Sequence, residues 1–209
     1  MPTSRWRAPS ETLELVLMDA LHPYQRGVSL DTMPIPFVEE ACTEVDAGPL
    51  RILVESRRLT NEILLDAIPG AAESLPEGTA FDDGGPSVHV LSKSDGLEYL
   101  RFDCFENEPH YHYVRHGRGE NLICRIDDVA VGDPVAWTVE RLRTRLAEML
   151  DFAGDGGDAA SVRRLNEEVA DGVERVVELL ARVAGSAEPS NPSAQVSAAR
   201  TSAGEARGG

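Results

Sequence analysis

Four short runs, separated by turn residues, follow one another between residues 87 and 126 and constrain the fold more than any other feature. The turn residues are those typical of hairpins: Asp95-Gly96, a Glu106–Pro109 loop and Gly117-Arg118-Gly119. The segment therefore predicts a four-stranded antiparallel meander. Its strands are expected at 87–92, 97–105, 110–116 and 120–126.

Helical patterns lie on both sides of this segment. Residues 10–21 place their apolar side chains on one helical face, and residues 48–68 also fit a helix, although Leu50, Ile52 and Val54 alternate as in a strand. Between these two segments, residues 27–46 carry two prolines and no sustained period, which predicts a loop that covers the surface.

Two helices are predicted after the meander. Asp133-Pro134 supplies an N-cap acceptor followed by proline at the first helical position, so a helix is expected over 134–153. A second helix, over 158–184, repeats apolar residues at spacings of three and four. Such a seam is typical of a helix that packs against another helix, of this chain as an αα-hairpin or of a partner as a coiled coil.

These elements predict one α+β domain over residues 1–185: a four-stranded meander with N-terminal helices and a C-terminal helical hairpin. After Gly185 the chain consists mainly of Ala, Ser, Gly, Pro and Arg. A segment of this composition buries too little apolar surface to offset its ordering entropy. Residues 186–209 are therefore expected to be a disordered tail or a segment held by a partner.

Charge and cysteine usage exclude several classes of protein. Twenty basic residues against 36 acidic ones give a net charge of −16, which disfavours nucleic acid and anionic membrane surfaces as partners. No run of apolar residues is long enough to span a bilayer, and the first ten residues lack the apolar core of a secretory signal. The three cysteines show no metal-binding spacing, as expected of reduced thiols in a cytoplasmic protein.

The segment 99–116 concentrates the residues that can carry chemistry, with five of the eleven aromatic residues and three of the five histidines. If a four-residue loop joins the second and third strands, Asp103 lies opposite His112 and Phe105 opposite His110. One face then belongs to the core and holds Leu100, Phe102, Cys104, Tyr111 and Tyr113. The other face holds the ionisable residues Tyr99, Arg101, Asp103, His110, His112 and His116.

His110 and His112 project to the same side of a strand, about 6.5–7 Å apart, and can converge on one ion. His116 has the same parity, but it lies about 13 Å from His110 by the strand rise. A third ligand is then expected to be Asp103, Glu106, Glu108 or a residue from elsewhere, and we take Asp103. This interpretation predicts one divalent transition metal, such as zinc or iron, as cofactor.

Two other interpretations of the same face need no cofactor. In one, Asp103 orients His112 as an acid–base dyad, although the chain shows no motif for a nucleophile. In the other, the aromatic and ionisable side chains satisfy one another or form a surface on which another protein docks. The residues predicted to bind such a partner are Tyr99, Arg101, Tyr111, Tyr113 and His116.

The strings RFDCF at 101–105, PHYHY at 109–113 and GDPVAW at 132–137 resemble a family of small actinobacterial proteins, over about residues 80–150. Members of that family are encoded near amidohydrolase-type enzymes and in clusters for soluble di-iron monooxygenases. The resemblance therefore implies an accessory subunit and supplies no catalytic residues. The leading hypothesis is a non-catalytic accessory or assembly subunit that binds a partner enzyme or forms a homo-oligomer. A small metalloprotein that uses the His-x-His site is the alternative.

Overall fold

The computed structural model describes residues 26–67 and 81–186, and these form one antiparallel sheet with helices packed on one face. Within them the sheet has seven strands, in the spatial order β1-β7-β6-β5-β4-β3-β2, and it curls into a half-barrel. The strands are β1 Val28–Leu30, β2 Thr43–Ala47, β3 Leu50–Thr60, β4 Asp82–Ser92, β5 Glu98–Asp103, β6 His110–Arg115 and β7 Glu120–Arg125. From β2 to β7, each strand pairs with the next strand in sequence. Strand β1, which comes first in sequence, pairs with β7 and forms one edge of the sheet.

The predicted fold class, a four-stranded meander, is wrong because the sheet continues on both sides of it. The four predicted runs correspond to β4–β7, which are neighbours, but β3 and β2 extend the sheet beyond β4. The helix expected over 48–68 is mostly strand β3, and only Asn61–Ala67 is helical. Residues 50–57 of β3 are buried on both sides of the sheet, except for a half-buried Arg51 and an exposed Ser56. Burial on both sides allows an apolar residue, Leu53, on the face opposite Leu50, Ile52 and Val54, and this weakens the period of two that identifies a half-exposed strand.

The loop expected over 27–46 contains β1, β2 and a single 3-10 turn at Glu39–Ala41. Residues 31–38 have no regular structure and cross the face of the sheet opposite the helices; we call them the strap. The helix predicted over 10–21 and most of the tail predicted over 186–209 lie outside the described residues.

Six helices are present in the described part of the chain: α1 Asn61–Ala67, α2 Asp128–Val131, α3 Pro134–Thr144, α4 Leu146–Ala153, α5 Gly156–Arg164 and α6 Asn166–Ser186. The Asp133 side chain accepts a hydrogen bond from the Val135 amide, as predicted for an N-cap. The two-helix hairpin is wrong, because each predicted helix is divided in two, near Arg145 and near Leu165. None of these helices is long and apolar enough to cross a membrane.

The apolar seam of α6 packs mainly on the sheet, although α6 also touches α3 and α5. Its residues Val169, Val173, Val176 and Leu180 are buried in the core against β2, β3 and β4. A Cβ at Gly172 would lie 2.4 Å from the Cβ of Ala47, so the glycine allows this close approach. A helix needs the same apolar stripe to pack on a sheet as to pack on another helix. The spacing of apolar residues therefore predicts a buried face but does not distinguish the two partners.

Candidate metal centre

The face of the sheet opposite the helices carries buried polar and charged side chains beside apolar ones such as Leu53; we call it the polar face. Cross-strand pairing places its side chains in two adjacent rows. The first row runs Glu55, Ser87, Asp103, His110, and the second runs His89, Arg101, His112. Apart from His110, each of these residues is at most 5 % exposed. Buried polar groups are tolerated only when they are paired, so their contacts define what this face can do.

Asp103, His110 and His112, which we call the Asp103 cluster, come together on this face as the sequence predicted. The Nε2 atoms of His110 and His112 lie 3.4 and 3.3 Å from the same carboxylate oxygen of Asp103. All three candidate ligand atoms lie within 4.8 Å of one another. Two atoms that bind one zinc ion at about 2.0–2.1 Å with a tetrahedral angle are roughly 3.4 Å apart, so the observed spacing fits a shared ion.

Both histidines are oriented by an acceptor on the far side of the ring. His110 Nδ1 lies 2.7 Å from the carbonyl oxygen of Glu108, and His112 Nδ1 lies 2.8 Å from Oδ1 of Asn121. The Asn121 amide nitrogen donates to the Thr32 carbonyl, which fixes Oδ1 as the atom facing His112. Since both acceptors require Nδ1–H, each ring directs its Nε2 atom toward Asp103, where that atom donates to the carboxylate when it is protonated and is placed to bind a metal when it is not, as in metal sites with an ordered outer shell.

Asp103 is ionised and well anchored. Burial opposes its charge, but hydrogen bonds from His110 and His112 outweigh burial and hold the Asp103 pKa well below its usual value. The Ser87 hydroxyl donates to the other carboxylate oxygen. Burial likewise disfavours a charged His110, and the contact with Asp103 overcomes it and raises the His110 pKa. Without a metal, the cluster is therefore held by an imidazolium–carboxylate pair.

The register of the β5–β6 hairpin differs from the predicted one by two residues. Asp103 pairs with His110 and Arg101 pairs with His112, so residues 104–109 form a six-residue loop. A shift of two residues preserves which side chains share a face, and the face assignment of the cluster therefore holds. The loop is long because the Asp83 carboxylate accepts hydrogen bonds from Asn107 and Glu108, which positions the Glu108 carbonyl beside His110.

A second group on the polar face, the His89 network, consists of His89, Glu55, Glu98, Arg57 and Arg101. The fully buried His89 ring lies between two carboxylates, 2.7 Å from Glu98 and 3.2 Å from Glu55. Each carboxylate also pairs with a guanidinium: Arg101 holds Glu98 with two nitrogens, and Arg57 holds Glu55 at 2.6 Å. Burial disfavours charge on all of them, but these contacts lower the pKa of Glu98 to about 2 and raise that of His89.

The network exists because of an irregularity in β5 that alternation alone does not reveal. The pairing with β4 passes from Val90–Leu100 to Leu91–Glu98, which leaves one extra residue, Tyr99, in β5. This bulge places Glu98 on the same face as Arg101. It also turns Tyr99 toward the hydrophobic core.

The strap covers the polar face. Its carbonyl oxygens at Thr32, Ile35 and Pro36 accept hydrogen bonds from side chains of the sheet, and the Phe37 ring lies 5.0 Å from the His89 ring. Every strap residue is itself exposed or half-buried. The buried charges are thus shielded from solvent by a single layer of chain.

The five residues predicted to bind a partner do not form one surface. Arg101 and Tyr113 are buried at 2 % and 5 % exposure, on opposite faces of the sheet. Tyr111 and Tyr99 pack against the core from the helix side, and the half-buried His116 donates to the Glu98 carbonyl and contacts the Tyr99 ring. The two residues of the predicted acid–base dyad, Asp103 and His112, are in contact, with 3.3 Å between the Asp103 carboxylate and His112 Nε2.

The sequence patterns did not reveal Asn121, Ser87, Asp83 or, apart from Arg101, the members of the His89 network. His89 gave no motif, because its partners Glu55 and Glu98 are 34 and 9 residues away in sequence. Asp83 anchors the hairpin loop from β4 and likewise gave no motif. Contacts between strands of a curled sheet depend on register, and register is set by turns and bulges that the sequence does not display.

The fold and the cluster together define an antiparallel half-barrel with a candidate two-histidine, one-carboxylate metal centre. The chain belongs to the family described as "Domain of unknown function (DUF7700)", whose model matches residues 44–180. That range includes the whole Asp103 cluster and leaves out the strap. No curated protein and no solved structure matches the chain.

Proposed function

We propose that this protein binds one divalent transition metal, zinc or iron(II), through Asp103, His110 and His112. The observation that carries the proposal is the pair of Nε2 atoms that converge on one Asp103 oxygen while both Nδ1 atoms are held by outer acceptors. Two histidines and one carboxylate are the ligand set of catalytic zinc sites and of non-haem iron(II) sites. Three protein ligands leave a coordination position for an external ligand.

Access to the centre supports this proposal. The His110 side chain is 21 % exposed, whereas those of His112 and Asp103 are 6 % and 2 % exposed. A metal therefore has one open side from which to enter, and the remaining surroundings are dry enough to strengthen its bonds to the protein.

Zinc titration of the purified chain tests the proposal. We expect one zinc ion per chain, and we expect the double variant His110→Gln/His112→Gln to lose more than about 100-fold in affinity, because each imidazole supplies a direct bond to the metal. The matched control is His116→Gln, which removes a neighbouring histidine outside the cluster. Equal zinc binding by the double variant and the wild type would refute the assignment.

Asn121 provides a finer test of the same centre. Asn121→Leu removes the acceptor that holds His112, so zinc affinity should fall by about 10–100-fold while the stoichiometry stays at one. Asn121→Asp retains an acceptor for His112 and loses only the bond to Thr32, so it should keep its affinity. Equal losses in both variants would show that Asn121 acts through the strap and not through the metal ligand.

An accessory role beside a partner enzyme is our second proposal. It is favoured by the edge strand β1, which among the described residues pairs on one side only and exposes Val28 and Leu30, and by the exposed Val129 of α2. Native mass spectrometry of the protein from its host would report both a bound metal and a stoichiometric partner.

We further expect a cytoplasmic location, because all three cysteines are free thiols.

A further inference from the structure

Two guanidinium groups converge on a single oxygen of the strap. Arg57 Nη2 and Arg101 Nη1 donate to the Ile35 carbonyl at 2.9 and 2.7 Å, and the same Arg57 nitrogen lies 3.1 Å from the Pro36 carbonyl. Paired guanidinium donors are typical of sites that recognise carboxylates, with which they form charge-assisted bonds. A backbone carbonyl is uncharged and is a weaker acceptor for them.

The strap also leaves one donor unused. Arg57 is 7 % exposed, and its Nε has no hydrogen-bond acceptor among the described residues. A buried N–H without an acceptor is unfavourable, and a carboxylate brings two charged oxygens where the strap presents the uncharged carbonyls of Ile35 and Pro36. The guanidinium pair is thus better matched to a carboxylate than to the chain segment that now covers it.

The strap can be displaced at low cost. It buries none of its own residues, and it is held by hydrogen bonds from Arg57, Arg101 and Asn121 together with the Phe37–His89 ring contact. Segments with few buried apolar contacts are the first to open in a folded protein.

The guanidinium pair lies next to the Asp103 cluster. Arg101 is the cross-strand partner of His112 and lies two residues before Asp103 on the same face. The carboxylates of Glu55, Glu98 and Asp103 are balanced there by two arginines and the His89 imidazolium, so a divalent metal would leave this face with excess positive charge. An anionic ligand would offset that excess.

We propose that Arg57 and Arg101 form a binding subsite for a small organic carboxylate. In the closed form, the Ile35 carbonyl oxygen occupies this subsite. When the strap opens, the carboxylate replaces that oxygen and accepts from both guanidinium groups. The subsite consists of the two arginines alone and does not need a bound metal. The further assignment, that the ligand's other end reaches the metal, rests on the proposed metal centre.

Chymotrypsin cleavage between Phe37 and Val38 measures strap opening, because Phe37 is half-buried against His89. The probe is sodium acetate, compared with sodium chloride at equal ionic strength and with acetamide. A ligand that binds only the open form raises the open population about elevenfold at ten times its dissociation constant. We therefore expect up to about tenfold faster cleavage in acetate, in both metal-free and zinc-loaded protein, and no acceleration in the two controls.

Arg57→Gln should abolish the acceleration of cleavage by acetate. Its strap should nevertheless be cleaved faster than the wild-type strap in all solutions. Arg58→Gln is the matched control, since Arg58 is the next residue in β3, is exposed and pairs with Asp82. If Arg57→Gln does not fold, Arg57→Lys keeps the charge without the planar donor pair and should reduce the response. Equal cleavage in acetate, chloride and acetamide, or a full response in Arg57→Gln, would overturn the subsite. If acetate accelerates cleavage of the metal-free protein but the chain binds no zinc, the subsite is supported and only the metal centre is refuted.

Discussion

Replacing His89 with glutamine is expected to lower the free energy of unfolding by about 3–5 kcal/mol at pH 6, the effect of removing one partner from a buried ion pair. His89 is fully buried and is the only cation that the structure shows contacting both Glu55 and Glu98. The variant keeps a polar side chain of similar length, yet the two carboxylates lose the charge between them. Urea denaturation of the two proteins measures the difference.

The size of this effect should depend on pH in a defined direction. Burial opposes the charged ring, but the carboxylates of Glu55 and Glu98 outweigh burial, so the folded-state pKa of His89 lies above its unfolded value of about 6.5. A raised pKa contributes stability that is complete below the unfolded pKa and is lost as pH rises through the folded pKa. The difference between wild type and His89→Gln should therefore be largest near pH 6 and should shrink toward pH 9.

His116→Gln is the matched control, because His116 is a half-buried histidine whose ring donates to the Glu98 backbone carbonyl and to no carboxylate among the described residues. Its stability difference from the wild type should be small. A His89→Gln protein as stable as the wild type at pH 6 would show that the network is not held by a charged His89. The Asp103 cluster is present in both proteins, so its contribution cancels from the comparison.

The hairpin carried enough local signal for its chemistry to be predicted from sequence. Alternation placed Asp103, His110 and His112 on one face, and a register error of two residues left that face unchanged. The Asp133 N-cap was equally local, since an acceptor next to proline needs no distant partner.

The extent of the sheet could not be predicted in the same way. Residues 50–57 of β3 are almost all buried, because helices pack on one side and the strap covers the other, so Leu53 and Ile52 are both inaccessible. The apolar Leu53 interrupts the alternation of Leu50, Ile52 and Val54, so the segment also fits a helix. The His89 network could not be predicted for a related reason. It depends on the bulge at Tyr99 and on the strap, which contributes backbone oxygens and therefore leaves no motif in the sequence.

Replacing Asp103 with asparagine is expected to abolish the response of stability to zinc. A metal that binds only the folded chain adds about 2.7 kcal/mol at 100 times its dissociation constant, and Asp103 supplies the only anionic ligand of the cluster. Without zinc, the variant should lose about 1–3 kcal/mol, since His110 and His112 lose the acceptor that they share. Thermal unfolding with and without zinc measures both effects, and Asp82→Asn, an exposed acid paired with Arg58, is the control.

The pH dependence of these two effects separates a metal centre from a plain ion pair. Zinc competes with protons for the Nε2 atoms of His110 and His112, so its stabilisation of the wild type should grow as pH rises from 6 to 8. The imidazolium–carboxylate pair behaves oppositely: the raised pKa of His110 makes its contribution complete below about pH 6.5 and lost above the folded value. If zinc leaves the wild-type profile unchanged across this range while Asp103→Asn still loses stability at pH 6, the cluster is an ion pair only. A zinc-dependent gain that rises with pH and vanishes in Asp103→Asn requires a metal bound by the carboxylate and the two imidazoles together.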